Sequence, residues 1–141
     1  MQVAPLLARY FHTTIRERGY QYFRQKRVRI GFGSASEVSA EVRGSEDYLL
    51  LMQWTGERLE VFCGCIYFID KGQPCKHLWA AILAADAEQH LSAVATAKFP
   101  ALDTGALLDQ AAEKEIAPLA GIEPSRRKPK STFVRPPQPA A

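Results

Sequence analysis

Cysteine and histidine are both scarce in this chain: three of each in 141 residues. An odd, small set of thiols argues for reduced cysteines inside a cell rather than a disulfide-stapled secreted domain. No apolar run approaches the ~20 residues that a membrane span needs. The opening MQVAPLLARYF lacks a basic stretch before its short apolar run, which argues against a secretory signal. A phosphate-cradling loop of the G-x-x-x-x-G-K-[ST] type is missing, and so is any internal repeat. With so few histidines, no serine, histidine and acid set for nucleophilic catalysis can be assembled. The length fits one domain large enough to bury a real core. These absences together describe an intracellular, cytoplasmic, non-enzymatic protein without a small-molecule substrate.

What is present is concentrated. All three cysteines lie between positions 63 and 75, as Cys63-Gly-Cys65 and then Cys75-Lys-His77. Three thiolates and an imidazole are the donors a tetrahedral Zn²⁺ prefers, and four protein donors make a closed, structural site. Residues two apart point to opposite faces of a strand and diverge by ~200° on a helix, so each pair must straddle a break in regular structure. Gly64 supplies an easy bend for the first pair. Pro74 suits a first helical turn, so Cys75 and His77 are expected to flank or occupy a helix entrance. A catalytic zinc keeps one position open, which four strong donors here would not. The expected cofactor is one structural Zn²⁺ held by Cys63, Cys65, Cys75 and His77.

The net charge of +3 conceals a polarised layout. Arg16, Arg18, Arg24, Lys26, Arg27 and Arg29 stand against Glu17 alone. Arg126, Arg127, Lys128, Lys130 and Arg135 form a second cluster free of acids. Two basic clusters around an acidic body suggest a polyanionic partner, nucleic acid above all. The candidate contacts are Arg16, Arg24, Lys26, Arg27, Arg29, Arg126, Arg127, Lys128 and Lys130, with Lys71 and Lys76 flanking the cysteine cluster. Tyr20, Tyr22 and Phe23 could stack on bases, although such a stripe is commonly core.

Periodicity predicts an α+β fold: a short antiparallel meander of three to four strands with flanking helices around the zinc site, and a disordered basic tail. Residues 1–12 read as a lead-in. Thr14-Ile-Arg-Glu17 reads as a capping box opening a helix to about residue 25. Alternation of Val28 and Ile30 with Arg27 and Arg29 suggests a short first strand ending near Gly31-Phe-Gly33, and a second strand spans about 37–43. The apolar run 48–54 suggests a strand covered on both faces, and the strand 59–63 runs into the first ligand. Ile66 to Ile69 are expected to be a loop folded over the metal. An apolar helix follows His77, with His90 as a partner for its C-terminal dipole. Nothing ties His12 to metal. Residues 13–90 would form the zinc domain. Residues 91–122 would hold a second helix, from about 106 to 116, capped by Asp103 or Thr104. Residues 123–141 form the basic tail.

The C-x-C, spacer, C-x-H arrangement, with Gly72-Gln-Pro-Cys75-Lys-His77-Leu running into an apolar helix, resembles the SWIM-type zinc finger. Upstream, Arg18-Gly-Tyr-Gln-Tyr-Phe23, Arg27-Val28, Val42-Arg-Gly44-Ser with Tyr48 following, and the 59–62 strand are similar to the region preceding that finger in bacterial helicases of the Swi/Snf type. The resemblance covers about residues 16–87. It implies a short antiparallel sheet plus a helix around zinc held by Cys63, Cys65, Cys75 and His77, and a role in DNA binding or protein–protein contact. Without an ATP-binding loop the chain is expected to act as a free-standing module beside a helicase or as the amino-terminal piece of a longer one. An adaptor that binds protein without touching DNA is the competing expectation, favoured by the acidic middle and the apolar 66–69 segment.

Overall fold

The computed structural model describes residues 2–110. The elements run α1 (Ala4–Leu7), α2 (Thr13–Arg24), β1 (Val28–Gly33), β2 (Glu37–Arg43), β3 (Asp47–Trp54), β4 (Arg58–Cys63), α3 (Ile66–Lys71), α4 (Lys76–Ala87) and β5 (Ala101–Asp103), with single 3-10 turns at Ala8–Tyr10 and Val94–Thr96. The fold class is α+β, as the periodicity predicts. The expected tail and most of the expected 106–116 helix lie outside the described residues. Residues 106–110 are helical, and Asp103 does cap them, its Oδ1 accepting the Gly105 and Ala106 amides.

Strands β1 to β4 form the expected antiparallel meander, in sequence order across the sheet. A fifth strand extends it. β5 pairs parallel to β4, with Leu102 beside Leu59. A parallel neighbour demands a crossover connection, and α3 and α4 are that crossover.

Alternation in β2 and β4 sends Val38, Ala40, Val42, Leu59, Val61 and Cys63 to one face of the sheet, where they are buried. The expectation that β3 is covered on both faces is not met. Leu50 and Met52 are buried on the inner face, but Leu49 on the outer face is 49% exposed. An unbroken apolar run records composition, not what covers it, and here, among the described residues, α4 covers the inner face while Leu49 stays open on the outer one.

α4 fills the inner face, with eight of its twelve residues buried. α2 lies across α4, and the two approach closely because residue 19 is glycine. A Cβ there would stand 2.7 Å from the Lys76 carbonyl oxygen and 2.8 Å from Trp79. The segment expected as a lead-in supplies core: Val3, Leu7 and Phe11 are buried, and the Phe11 ring meets Trp79 with centroids 5.0 Å apart. Full burial of such side chains stabilises by ~1.5–3 kcal/mol each. Asp86 fixes this segment by accepting the Val3 and Ala4 amides at 2.7 and 2.8 Å.

The expected capping box does not form. α2 starts at Thr13 with His12 as N-cap and no side-chain cap bond, which leaves Thr14 inside the first turn where it cannot cap. At its other end the Lys26 amide bonds to Phe23 O and the Arg27 amide to Tyr22 O, with Lys26 at φ +58°. This is the Schellman arrangement, built with lysine where glycine is usual. Among the described residues, no helix is long and apolar enough to cross a membrane.

Candidate metal centre

Each ligand-type residue stands where regular structure starts or stops. Cys63 closes β4, and the chain then turns at Gly64, whose amide bonds to Leu49 O at 3.0 Å. Cys65 is the N-cap of α3, and its Sγ accepts the Phe68 amide at 3.4 Å. Cys75 is the N-cap of α4, and His77 is the second residue of that helix. Pro74 therefore precedes the helix rather than entering its first turn, while the expected placement of Cys75 and His77 at the helix entrance holds.

All four side chains are buried, and their ligand atoms lie within 4.8 Å of one another. Cys63 Sγ and His77 Nδ1 are 3.8 Å apart. Tetrahedral bonds of ~2.3 Å to sulfur and ~2.0 Å to nitrogen would separate ligand atoms by ~3.5–3.8 Å. The donor set and its spacing fit one zinc-like ion. Approach through Nδ1 places the imidazole proton on Nε2.

The electrostatics fit the same occupant. Hydrogen bonding with Cys65 and Cys75, together with burial, pushes the Cys63 thiol well above the ordinary thiol range. Cys65 is held far below it, chiefly because Cys63 and Cys75 donate to its sulfur. At Cys75 the lowering bond to Cys63 is outweighed by the bond to Cys65 and by burial, and the thiol is pushed up to about 12. Three thiols this close can sustain one thiolate among them. A divalent cation removes the conflict by replacing the remaining protons.

The segment expected as a loop over the metal is a helix, α3. Residues three apart share a helix face, so Ile66 and Ile69 point outward together and are 81% and 50% exposed. Phe68 alone of this run is fully buried, in edge contact with Phe62. Its own cap, the Cys65 sulfur, and Gly72 at φ +64° delimit the helix. The apolar cover over the site comes instead from elsewhere. The Tyr48 ring lies on His77 at 4.5 Å and 34°, and Tyr22 meets it edge-on at 5.4 Å. Gly44 leaves the room: a Cβ there would stand 3.0 Å from Tyr48, 3.4 Å from the Tyr22 hydroxyl and 3.5 Å from His77 Nε2. Neither Gly44 nor Tyr48 stands out as a site residue in the sequence. The inward alternation of Tyr48 with Leu50 and Met52 was the available signal.

The basic candidates divide. Arg27 and Lys76 each approach the Tyr22 ring, at 5.0 and 5.3 Å from its centroid, and Arg27 also donates to the Arg43 carbonyl at 3.4 Å. Arg24 ends α2 and Lys26 follows in the left-handed turn. Arg29 belongs to the outer sheet face, where it pairs with Glu41 at 2.9 Å. Arg16 binds back to the Phe11 carbonyl at the far end of α2, and Lys71 ends α3. Arg126, Arg127, Lys128 and Lys130 lie outside the described residues. His12 caps α2 away from the cluster. His90, expected as a partner for the dipole at the end of α4, packs its ring on Gly33 and approaches Oε1 of Glu88, the C-cap of that helix, at 3.4 Å. Neither a family model, a curated protein nor a solved structure matches this chain.

Proposed function

We propose that the chain is a zinc-stabilised, non-enzymatic module of the SWIM type that binds nucleic acid, DNA in the first instance, beside a helicase or recombination partner. One observation carries this reading: two cations share the Tyr22 ring next to a buried ligand of the metal cluster, and neither has an acidic partner among the described residues. Arg27 and Lys76 would contact phosphates, with Arg24, Lys26 and the 126–130 cluster adding charge. Such binding draws its free energy from counterion release and weakens steeply with salt. Half-buried Tyr22 is held in place by packing, so the two cations arrive on a stiff platform rather than on free stems.

When bound, zinc supplies folding free energy and electrostatic relief to the thiolates. The residues do the rest. Lys76 sits between Cys75 and His77, so closing the cluster fixes its backbone, and Tyr22 is oriented by its contact with His77. Four strong donors leave no open coordination position for a substrate or water, which supports a binding role over catalysis.

The test is an anisotropy titration of zinc-loaded protein with single- and double-stranded DNA at two salt concentrations. Affinity that collapses at high salt, and falls in Arg27→Ala/Lys76→Ala with a salt slope shallower by about two contacts, bears the proposal out. An absence of binding at low salt with one zinc present overturns it. That outcome would leave the adaptor reading, which the exposed outer sheet face favours.

A further inference from the structure

The sheet has a second face, and nothing in the nucleic-acid reading uses it. Across four strands the register sets Phe32, Ser39, Leu51 and Phe62 in one row on the outer side. Phe32 is 53% exposed, and Leu49, one pleat along β3 from Leu51, is nearly as open. Beside Phe62, α3 turns Ile66 and Ile69 to solvent. Where β1 bulges at Gly31, a depression of about 280 Å³ opens among Arg29, Gly31, Ser39, Glu41 and Leu49. An apolar row of this kind, interrupted only by Ser39 and with a socket for one side chain, marks a contact surface rather than ordinary scattered exposure.

The charge around the band selects the occupant. The row on one side is Glu37, Gln53 and Glu60, and Glu60 stands next to Asp103 of β5. Two of the three strand cations on this face, Arg29 and Arg58, are held in ion pairs. Arg29 pairs with Glu41 at 2.9 Å and Arg58 with Asp103 at 3.2 Å, while Arg43 stands directly opposite Asp47. Glu37 and Glu60 have no cationic partner among the described residues. A second copy presenting this same face would set the same unpaired acids against Glu37 and Glu60. A polyanion is repelled outright.

Strand backbones inside a sheet are hydrogen-bonded to each other, so this face offers a partner side chains only. The partner must therefore satisfy its own backbone. Four strands spaced ~4.8 Å apart make this row about 14 Å long, enough for roughly two and a half turns of a helix laid along it with one flank over the Glu37–Glu60 row. We infer that the outer face of the sheet binds an amphipathic helix of a partner protein, whose apolar stripe lies on Phe32, Leu49, Leu51 and Phe62 and whose flanking lysines or arginines meet Glu37 and Glu60. The inference does not depend on the nucleic-acid reading. It would make the molecule two-sided, with a cationic edge at Tyr22 and an acidic-rimmed apolar face opposite the helices.

The experiment uses two fluorescent synthetic helices with the same leucine face, one flanked by lysine and one by glutamate, titrated into the zinc-loaded full chain at physiological salt. The lysine-flanked helix is expected to bind with a Kd of about 10 µM or tighter and the glutamate-flanked one at least tenfold more weakly. Leu49→Arg should cost at least tenfold, and Glu37→Lys/Glu60→Lys should reverse the preference. Leu49 and Glu37 are exposed and Glu60 is half-buried, and unchanged zinc content verifies the fold of both variants. Failure of both helices to bind, equal binding of the two, or full binding by Leu49→Arg would overturn the inference. Sedimentation of the protein alone at the same concentrations adds a further outcome: a dimer abolished by Leu49→Arg would give the face to a second copy and overturn the heterologous partner. DNA affinity, read separately, should not fall in either variant.

Discussion

Helices α2 and α4 have the same length, twelve residues, and end in the same way. In each the residue after the C-cap is left-handed without being glycine, Lys26 at φ +58° and Gln89 at φ +63°. The Gln89 and His90 amides return to Asp86 O and Ala85 O just as Lys26 and Arg27 return to Phe23 O and Tyr22 O. Neither N-terminus has a side-chain cap bond. Yet α4 buries eight residues and α2 only Gly19. Local helix grammar is nearly identical, and the difference lies in what each helix is tied to. α4 begins inside the metal cluster and lies on the sheet. α2 touches α4 through a glycine and leaves Arg18 and Arg24 to solvent. A helix can thus be the core of a small domain or a passenger upon it, with the same ends.

The largest way to break this contrast is to untie α4. Cys65→Ala or His77→Ala, or removal of metal by a chelator, should withdraw on the order of 10 kcal/mol of metal-linked folding free energy. Loss of helical circular dichroism and of cooperative melting is expected, together with loss of bound zinc. Normal melting in Cys65→Ala would sink a structural role for the site. Acid should act on the same tie more gently. Without metal, Cys63 and Cys75 keep their protons above the ordinary thiol range, so loading near neutral pH displaces both, and competing protons weaken it as pH falls. Two displaced protons correspond to about a hundredfold in zinc affinity per pH unit, rising with pH. Chelator competition at pH 6 and pH 8 reads this directly, and a flat affinity would contradict the crowded-thiol account.

The contact between the helices is the next target. Gly19→Val drives a branched side chain into Trp79 and the Lys76 carbonyl, and should cost about 1–3 kcal/mol or more by thermal melting. Tyr20→Ala, one position along and exposed, should stay within ~0.5 kcal/mol. Equal effects would mean that α2 is not seated as described. The smallest effect sharpens the likeness at the helix ends. Gln89→Gly and Lys26→Gly should each stabilise by about 0.5–1 kcal/mol, because glycine holds φ > 0 without strain. On the proposed function, Lys26→Gly alone should also lower DNA affinity; an identical loss in Gln89→Gly would indicate a nonspecific cause.

How much of this was legible depended on how locally each feature is encoded. The four ligand-type residues were visible because their chemistry is rare and their positions adjacent. β2 and β4 were visible because one covered face imposes a period of two, in Val38-Ala40-Val42 and Leu59-Val61-Cys63. α3 was not. Ile66-Tyr-Phe-Ile69 carries β-branched and aromatic residues, and its helix depends on a sulfur cap at Cys65 whose role is clear only once the cluster is folded. β5 was invisible because three residues hold no period, and its partner Leu59 is forty-three positions upstream. The one-sidedness of β3 was hidden for a different reason: Leu49, Leu50 and Leu51 are chemically alike but face different surroundings.

The parallel pairing of β5 has a consequence for how the chain closes on itself. The metal ligands lie at the start and middle of the crossover that joins β4 to β5, so binding an ion there subdivides one long connection into shorter ones. Closure entropy falls as a connection shortens, by about 0.6 kcal/mol per halving. The amides of β5 and the Arg58–Asp103 pair, though distant from the thiolates along the sheet, should therefore exchange hydrogen faster whenever the ion departs, ahead of the β1–β3 meander. An edge strand of three residues would then act as the gauge of metal occupancy for the whole domain.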